Sequence, residues 1–452
     1  MVQAPKREML KRILLFLRSQ TFSANTALVL GSQVLRAPLV LFAWAVIGRF
    51  LGAQALGKIQ IAFLVPMTVS VFIGLGLPVA NSYLLGKRKY SVESILGNSL
   101  LWSVGASTAA VALLIAAKPF VLRYLAITPE LFTATIVWIP LQQIYSVLTS
   151  MLLGERRFLV HSWTGLLNGL CMAFGAVLAV LVFKMGLVAT TWTLVGTTGV
   201  VACYLLWLYL PLQLPSIMPS PALMMDSLTL GLKAYFGNIL QFFNYRLDAF
   251  IVAYFAGASA LGVYAVAYSL TELLWYVPQS VATVLMPVTA SSQTAEATSR
   301  TSRICRLSIT CGLIGGLAMA AAAPIAIPRL LGTEYGKSVA LVWLLLPGAV
   351  SFILAKIIAA DLSGRGRPEF GSYVSFAGLF ITVPMNLVLV PFYGATASAI
   401  ISSVVYFAEA TYLLLCYRRL TQASLASLVF LQPRDFSFIY AWQLNPTRIP
   451  GR

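Results

Sequence analysis

Long apolar stretches alternate with short polar segments along the whole chain, and this pattern predicts helices that cross a membrane. Each apolar stretch reaches the length of about 20 residues that a helix needs to span the hydrocarbon core. The strands of a membrane barrel would instead alternate polar and apolar positions over about ten residues. The pattern therefore predicts an all-α polytopic membrane protein of about twelve transmembrane helices, at 22–50, 59–86, 95–117, 130–153, 159–183, 186–210, 228–255, 260–288, 307–327, 338–361, 370–391 and 395–416.

Composition supports this interpretation and excludes most soluble classes. Hydrophobic residues make up 59% of the chain and charged residues 10%, with a mean hydropathy of +0.87. A soluble domain is about a quarter charged, so this chain lacks the polar residues that a water-facing surface requires. The five cysteines contain no CxxC pair and His161 is the single histidine, so we expect neither a metal site nor a disulfide framework.

The basic residues predict how the chain is oriented. There are 31 Lys and Arg against 13 Asp and Glu, and most of this excess falls on segments that are cytoplasmic if the N-terminus is cytoplasmic. We therefore expect both termini inside and no nucleic-acid partner. Residues 1–21 read as a basic interfacial helix, and 419–452 as a polar cytoplasmic tail. The outer loops are too short to hold an extramembrane active site, which argues against an enzyme.

An internal repeat divides the chain into two similar halves. Residues 49–62 read RFLGAQALGKIQIA and residues 254–267 read YFAGASALGVYAVA. A second match relates Gly154, Arg157 and Gly186 to positions 364, 367 and 394 at nearly the same offset. We therefore predict two six-helix lobes, 22–210 and 228–418, related by a pseudo-twofold axis along the membrane normal. The Pro-rich segment 211–227 is expected to link them.

A basic residue in the middle of the first span is a candidate substrate contact. Arg36 lies near Asn25 and Gln33 on a polar face that cannot face lipid, because a charged side chain at a helix centre costs about 2.5–3.5 kcal/mol or more. A guanidinium pairs bidentately with phosphate oxygens, so Arg36 could bind the diphosphate of a lipid carrier. The alternative is a structural pair with an acidic residue of another helix.

The seventh predicted span carries the most polar side chains. Five of them fall within an arc of about 140°: Lys233, Asn238, Gln241, Asn244 and Asp248. Arg246 points away from this arc and is expected to reach another helix. The amides would hydrogen-bond sugar hydroxyls, and Asp248 would bind a cation or a proton. The alternative is a buried polar network that only orients helices.

Three further charged residues lie inside predicted spans. Glu272 and Glu409 are the other intramembrane acids, and either could carry a coupling proton, since burial of a carboxyl raises its pKa. Both also permit a structural salt bridge. Lys356 lies near the inner end of the tenth span, where we expect it to snorkel to the interface.

These motifs resemble the Wzx-type oligosaccharide flippases of the multidrug/oligosaccharidyl-lipid/polysaccharide exporter (MOP) superfamily. The similarity lies in the turn GRFLGAQALG at 48–57, in 246–267 and in 364–399, and it covers about 22–418. The resemblance implies a cationic central cavity and the flipping of an undecaprenyl-diphosphate-linked oligosaccharide across the bacterial plasma membrane. It further implies a role in surface polysaccharide such as O-antigen and lipopolysaccharide, and coupling to H+ or Na+ without another cofactor. We expect a monomer, with loose association with the glycan polymerase machinery.

Two alternative functions, a multidrug exporter and a membrane enzyme, fit the sequence less well than a flippase. A cation-coupled multidrug exporter of the same superfamily would favour an acidic cavity, whereas the spans carry slightly more bases than acids. A membrane polysaccharide polymerase or glycosyltransferase would carry large outer loops with clustered charges. Those loops are short here, and the sequence contains no P-loop for a nucleotide-driven pump.

Overall fold

A computed structural model describes residues 22–125, 127–209, 220–290 and 293–436, and within these ranges every regular element is helical. The predicted interfacial helix at 1–21 and residues 437–452 of the tail lie outside the described residues. The α-helices are α1 Phe22–Gly74, α2 Leu77–Gly86, α3 Val92–Ala116, α4 Lys118–Leu125, α5 Pro129–Gly154, α6 Phe158–Val177, α7 Leu187–Tyr209, α8 Pro221–Glu272, α9 Tyr276–Ala290, α10 Thr294–Leu330, α11 Gly336–Gly364, α12 Glu369–Tyr393, α13 Ala395–Thr421 and α14 Leu425–Val429.

Local sequence explains where several helices begin. The Ser91 hydroxyl accepts a hydrogen bond from the backbone N–H of Ser94 at the start of α3, and Thr128 does the same for Leu131 at the start of α5. Such side chains satisfy N–H groups that lack a partner within the helix. Pro129 adds a backbone that is already suited to the first helical turn. Short polar loops therefore set the ends of these apolar helices.

The number of spans agrees with the prediction of about twelve. Ten helical segments in the described part of the chain are long and apolar enough to cross a membrane, and two of these are 47 and 44 residues long, at Leu28–Gly74 and Ile239–Ala282. Each of the two contains one glycine with non-helical backbone angles, Gly52 in α1 and Gly257 in α8. These two segments each supply two spans. The chain is therefore a multi-pass membrane protein, and the predicted all-α fold class is confirmed.

Two spans are less regular than predicted. The second, expected as one helix over 59–86, is interrupted at Leu75 and Gly76, which both have positive φ. The backbone of Gly231 packs directly against Gly76, which leaves no room for a side chain there. The eighth span, expected at 260–288, contains the 3-10 turn Leu273–Trp275 between α8 and α9.

The two repeats meet at their matching glycines. A Cβ atom on Gly57 would overlap the carbonyl of Ala258, and one on Gly262 would overlap the carbonyl of Ala53. Ala53 and Ala258 are themselves equivalent positions of the repeat, so the contact is reciprocal. Small residues let membrane helices approach closely enough for backbone packing. The repeat seen in the sequence is therefore also a local twofold contact.

Contacts divide the chain into two compact units. The larger unit holds the described residues up to Ser269 together with Ile325–Leu341 and Val383–Ser398. In it, α1 packs along α6, and α5 packs along α2 and α7. The smaller unit holds Leu270–Pro324, Val342–Thr382 and the described residues from Ala399. The boundaries of the lobes at 22–210 and 228–418 stay a prediction.

Helix α8 begins within the segment expected to be a linker. Residues 221–227 are helical, whereas 210–219 lie outside the described residues. Asp226 in the second turn of α8 accepts hydrogen bonds of 2.6 Å from both Lys89 Nζ and the Tyr90 hydroxyl, and these bonds lower the pKa of the carboxyl. The loop before α3 and the start of α8 are thereby joined.

The first part of the tail folds back onto α10. Asp435 is buried, and its two carboxylate oxygens accept hydrogen bonds of 2.6 and 2.7 Å from Arg306. This pairing lowers the pKa of Asp435 to about 2. The resulting stabilisation is present above the ordinary pKa of an aspartate and is lost only as the pH falls through about 2, so the contact persists at physiological pH.

Candidate functional site

Arg36 is held against α6 by an amide. Its Nη2 donates a hydrogen bond of 3.0 Å to Oδ1 of Asn168, and its side chain packs against Gly169, where a Cβ would lie 3.0 Å from Arg36 Cγ. The Nε atom is buried and has no hydrogen-bond partner. No ion pair joins Arg36 to a carboxylate among the described residues. No carboxylate of the described residues therefore neutralises this guanidinium in the first span.

The other polar residues near Arg36 contribute less. Gln33 is partly buried on α1, one turn before Arg36, and the hydroxyl of Ser32 donates to the Val29 carbonyl of its own helix. Asn25 belongs to α1, but its side chain lies outside the described residues. The contact with Asn168 was not expected from the sequence, because one Asn in an apolar helix gives no sign of its partner.

The polar arc of the seventh span divides between two environments in α8. Asn244 and Asp248 are buried, whereas Gln241 is exposed and donates a 3.3 Å hydrogen bond to the Tyr245 hydroxyl one turn later. The side chains of Lys233 and Asn238 lie outside the described residues. Of the three members of the arc whose side chains are described, the two nearer to Gly257 are thus the buried ones.

Asp248 is held by a tyrosine from the other side of the Gly257 break. The buried Tyr264 hydroxyl donates to Oδ2 of Asp248, and the backbone N–H of Ala249 lies 2.7 Å from Oδ1. Ser398 in α13 lies 3.5 Å from the Tyr264 oxygen. Hydrogen bonds to a carboxylate favour its charged form. The arrangement can hold a charged aspartate inside the larger unit.

Arg246 contacts a different residue from Asp248, as expected from the wide angle between the two side chains on a helix. Its guanidinium carbon lies 5.1 Å from the centre of the Tyr268 ring, within the range of a cation–π contact. The Tyr268 hydroxyl is 3.4 Å from Oε1 of Gln60 in α1. Arg246 and Asp248 therefore contact separate tyrosines of the same following helical segment.

Lys356 lies among aromatic rings in the smaller unit. Its ammonium is 5.1 Å from the ring centre of Trp275 and 5.2 Å from that of Phe352, and it donates a 3.0 Å hydrogen bond to Gln279. Phe352 lies one turn earlier in α11, away from the end at Gly364. The predicted snorkelling toward that end is wrong, because the rings offer the cation a closer partner. The two other predicted intramembrane acids lie in α8 and α13: Glu272 is the last residue of α8, and Glu409 is buried in α13.

A second group of contacts surrounds the turn at Gly52. Arg49 Nη1 lies 2.9 Å from the carbonyl oxygen of Arg329 and 3.4 Å from that of Pro328, in the last turn of α10. In return, Glu334 Oε1 accepts a 3.0 Å hydrogen bond from the backbone N–H of Ala53. Each side chain thus satisfies backbone groups at the end of a helix in the other segment. We call this arrangement the reciprocal cap.

Neither the reciprocal cap nor the aromatic contacts of Lys356 could be recognised in the sequence. Glu334 and Arg49 are ordinary loop residues by composition, and their pairing joins segments far apart in the chain. Trp275 could have been noticed as a large aromatic residue three positions after Glu272. A helix wheel does not place it over Lys356, because the 3-10 turn at Leu273–Trp275 changes its direction.

Comparison with solved structures identifies the fold. The lipid II flippase MurJ in an inward closed conformation superposes with a TM-score of 0.71 at 12% identity, covering 93% of each chain. An inward-facing multidrug resistance MATE transporter of the MOP superfamily gives 0.69 at 16% identity, covering 85% of this chain and 94% of its own. Its outward-facing conformation gives 0.61, covering 88% and 96%. The chain shares the fold of these structures, in agreement with the fold that the resemblance implies.

Most of the sequence also matches the model of one protein family. No curated protein matches it. The profile of the family described as "Polysaccharide biosynthesis protein" matches residues 46–340, well over half of the chain. That region includes both copies of the repeated turn and all of α8. The chain therefore belongs to this family of polysaccharide biosynthesis proteins.

Proposed function

We propose that the protein flips an undecaprenyl-diphosphate-linked oligosaccharide across the bacterial plasma membrane by cation-coupled alternating access. The glycan would then enter surface polysaccharide, with O-antigen of lipopolysaccharide as the candidate product. Both termini would be cytoplasmic, so that the carrier is taken up from the side on which it is made. The family and the fold support a flippase, and the charged residues inside the spans support this substrate.

Arg36 carries the proposal. An arginine in the middle of a span is costly, and its cost is not offset by a carboxylate among the described residues. Asn168 orients one end of the guanidinium, while Nε has no partner. A diphosphate would supply the missing acceptors and the opposite charge, and two parallel N–H···O bonds would fix its orientation.

The remaining polar residues of the spans would bind the glycan and the coupling cation. A glycan cannot cross hydrocarbon without hydrogen bonds, because each unpaired hydroxyl costs several kcal/mol. In the proposal, Gln33, Asn25, Lys233, Asn238, Gln241, Asn244 and Arg246 supply those contacts. Asp248, Glu272 and Glu409 are the candidate residues for the coupling cation, since each is an acid within a span.

The test is a flipping assay with the full-length protein in proteoliposomes. The substrate is a fluorescent undecaprenyl-diphosphate-linked oligosaccharide, and the readout is its accessibility to a reagent on one side. We expect Arg36→Ala to lower the rate about tenfold or more, because loss of a buried charge-assisted contact costs 2 kcal/mol or more. Arg36→Lys should retain part of the activity through charge alone.

Arg123→Ala is the matched control, since Arg123 is an exposed basic residue of the same lobe. It should flip at the wild-type rate. Full activity of a correctly folded Arg36→Ala variant would remove Arg36 from the mechanism. Transport of organic cations by the wild type, with no flipping of the lipid-linked glycan, would favour the multidrug exporter instead.

A further inference from the structure

An open apolar groove lies in the smaller unit between α10, α11 and α13. Its volume is about 690 Å³, within the range of pockets that hold small molecules. Leu317, Trp343 and Phe407, one from each helix, line it and are 70%, 51% and 59% exposed. The small residues Gly316 and Ala410 line it as well and are buried. We call this feature the apolar groove.

The polar side chains of the apolar groove have partners within the protein. The hydroxyls of Ser351 and Thr411 each donate to the backbone carbonyl one turn earlier in the same helix. The Trp343 Nε1–H donates a 3.0 Å hydrogen bond to the carbonyl of Ala320. No charged residue is among the described residues that line the groove. Its lining therefore suits a hydrocarbon chain.

The length of the apolar groove matches one leaflet of a membrane. Along α10 it extends from Ile309 to Ala320, which is about 16 Å at the rise of a helix. The hydrocarbon core of a bilayer is about 30 Å thick, so the chain of one phospholipid covers about half of it. The groove is thus long enough for such a chain.

Two arginines continue the groove toward the helix ends that are predicted to be cytoplasmic. Arg306 lies three residues before Ile309 in α10, and both its carboxylate contacts are to Asp435 of the tail. Arg418 lies four residues after Leu414 in α13, a spacing that places both on one face. Arg418 is exposed, and no ion pair joins it to a carboxylate in the part of the chain that the structure describes. One cation at this end is therefore not neutralised.

The segment that follows α13 adds apolar side chains at the same end. Val429 lines the groove, and the next residue, Phe430, is 69% exposed. Arg306 donates to the carbonyl of Ser427 and so holds this segment against α10. Basic residues beside exposed apolar ones are typical of the membrane interface, where anionic headgroups lie.

We propose that the apolar groove and Arg418 form a binding site for an anionic phospholipid. The phospholipid belongs to the leaflet at the end of α13 that carries Arg418, which is the cytoplasmic leaflet in the predicted orientation. One acyl chain lies in the groove, and the phosphate accepts hydrogen bonds from the guanidinium of Arg418. This inference does not depend on the proposed flipping of a glycan.

The geometry favours a phospholipid over the lipid carrier as the occupant. An undecaprenyl tail is much longer than one leaflet is thick and would extend out of the groove. The single phosphodiester of phosphatidylglycerol carries the charge that one arginine balances, whereas a diphosphate carries more. The chain length and the charge of this site thus fit the same ligand.

The test uses the fluorescence of Trp343, which lines the groove and is quenched by bromine atoms on a nearby acyl chain. The purified full-length protein in detergent is titrated with phosphatidylglycerol or phosphatidylcholine, each with brominated chains. The difference between the wild type and Trp343→Phe isolates the signal of this residue. We expect phosphatidylglycerol to half-saturate the quenching at a concentration about fivefold lower, since one basic residue near an anionic lipid contributes about that factor.

The variants separate the headgroup contact from the groove. Arg418→Ala should raise the half-saturating concentration of phosphatidylglycerol about fivefold, to that of phosphatidylcholine, and Arg418→Lys should keep much of the preference. Arg419→Ala is the matched control, because Arg419 is an exposed arginine of the same helix end that lies about 100° away around the helix. It should keep the wild-type preference. Thr411→Phe fills the groove and should weaken quenching by both lipids.

Several outcomes would overturn the proposal. Equal half-saturation of the wild type by the two lipids would remove the headgroup contact, and equal losses in Arg418→Ala and Arg419→Ala would show only a general attraction to negative charge. Unchanged quenching in Thr411→Phe would place the lipid outside the groove; if that variant fails to fold, the comparison of the two lipids on the wild type decides. Displacement by undecaprenyl phosphate at a lower concentration than by unlabelled phosphatidylglycerol would assign the groove to the lipid carrier.

Discussion

The turns at Gly52 and Gly257 are the same structure in two different settings. Gly52 has φ 83° and ψ 169°, and Gly257 has φ 84° and ψ 172°. An added Cβ at Gly52 would lie 3.3 Å from Oε1 of Glu334, whereas at Gly257 no atom of the described residues would lie within 4 Å of it. One turn is therefore covered by the reciprocal cap, and its equivalent is open.

The difference shows what a duplicated sequence determines and what it does not. The backbone break comes from the repeated Gly and from the close glycine contact five residues later, both of which the two halves share. The cap comes from the segment that follows α10, through Glu334 and the buried Tyr335, whose hydroxyl lies 3.3 Å from the carbonyl of Gly48. The halves thus share their backbone geometry but differ in whether a loop covers the turn.

The shared glycine contact is expected to give the largest effect when it is broken. Gly57→Ala and Gly262→Ala each place a Cβ into a backbone carbonyl of the other repeat, which no rotamer change can relieve. We expect each variant to lose about 1–3 kcal/mol of stability, or more, as overpacked sites do. Thermal unfolding in detergent, followed by size-exclusion chromatography, measures the loss.

Gly105→Ala and Gly196→Ala are the controls, because both glycines lie inside helices and an added Cβ would meet no atom within 4 Å in the part of the chain that the structure describes. Those variants should be as stable as the wild type or slightly more so, since alanine favours a helix over glycine. Equal melting temperatures for Gly57→Ala, Gly262→Ala and these controls would show that the two repeats do not meet at this point.

The two turns themselves give the next largest effect. Gly52→Ala and Gly257→Ala force an L-residue into a backbone region used almost only by glycine, at a cost of about 1–3 kcal/mol. The strain should be similar at both sites because the angles are. Gly52→Ala should lose more, since its Cβ also crowds Glu334. Melting temperatures of the two variants test this, and a greater loss at Gly257 would contradict the comparison.

Much of this architecture could be predicted from the sequence. Hydrophobic length predicts the spans, and the repeated GxxxLG pattern at 52–57 and 257–262 indicates both the duplication and the glycine breaks. The helical angle between Arg246 and Asp248 correctly separates their partners. These features depend on short stretches of chain, where periodicity and backbone sterics are sufficient.

Contacts between distant segments could not be predicted in the same way. Arg36 was expected to have either a phosphate or an acidic partner, yet the structure pairs it with Asn168, 132 positions away. Lys356 was expected at the interface but lies under Trp275, because a 3-10 turn redirects the ring. Such pairings depend on the relative rotation and height of whole helices, which hydrophobic patterns do not specify.

The smallest expected effect comes from the cap at Gly52. Glu334→Ala removes the acceptor of the Ala53 N–H, and loss of a helix cap costs about 0.5–2 kcal/mol. Hydrogen exchange at the Ala53 amide should become about fivefold faster for each kcal/mol lost. Exchange at Ala258, the equivalent position beside the open turn, should not change. Glu334→Gln keeps an acceptor oxygen and should exchange more slowly than Glu334→Ala. If all three proteins exchanged alike at Ala53, the two turns would differ only in their surroundings and not in their stability.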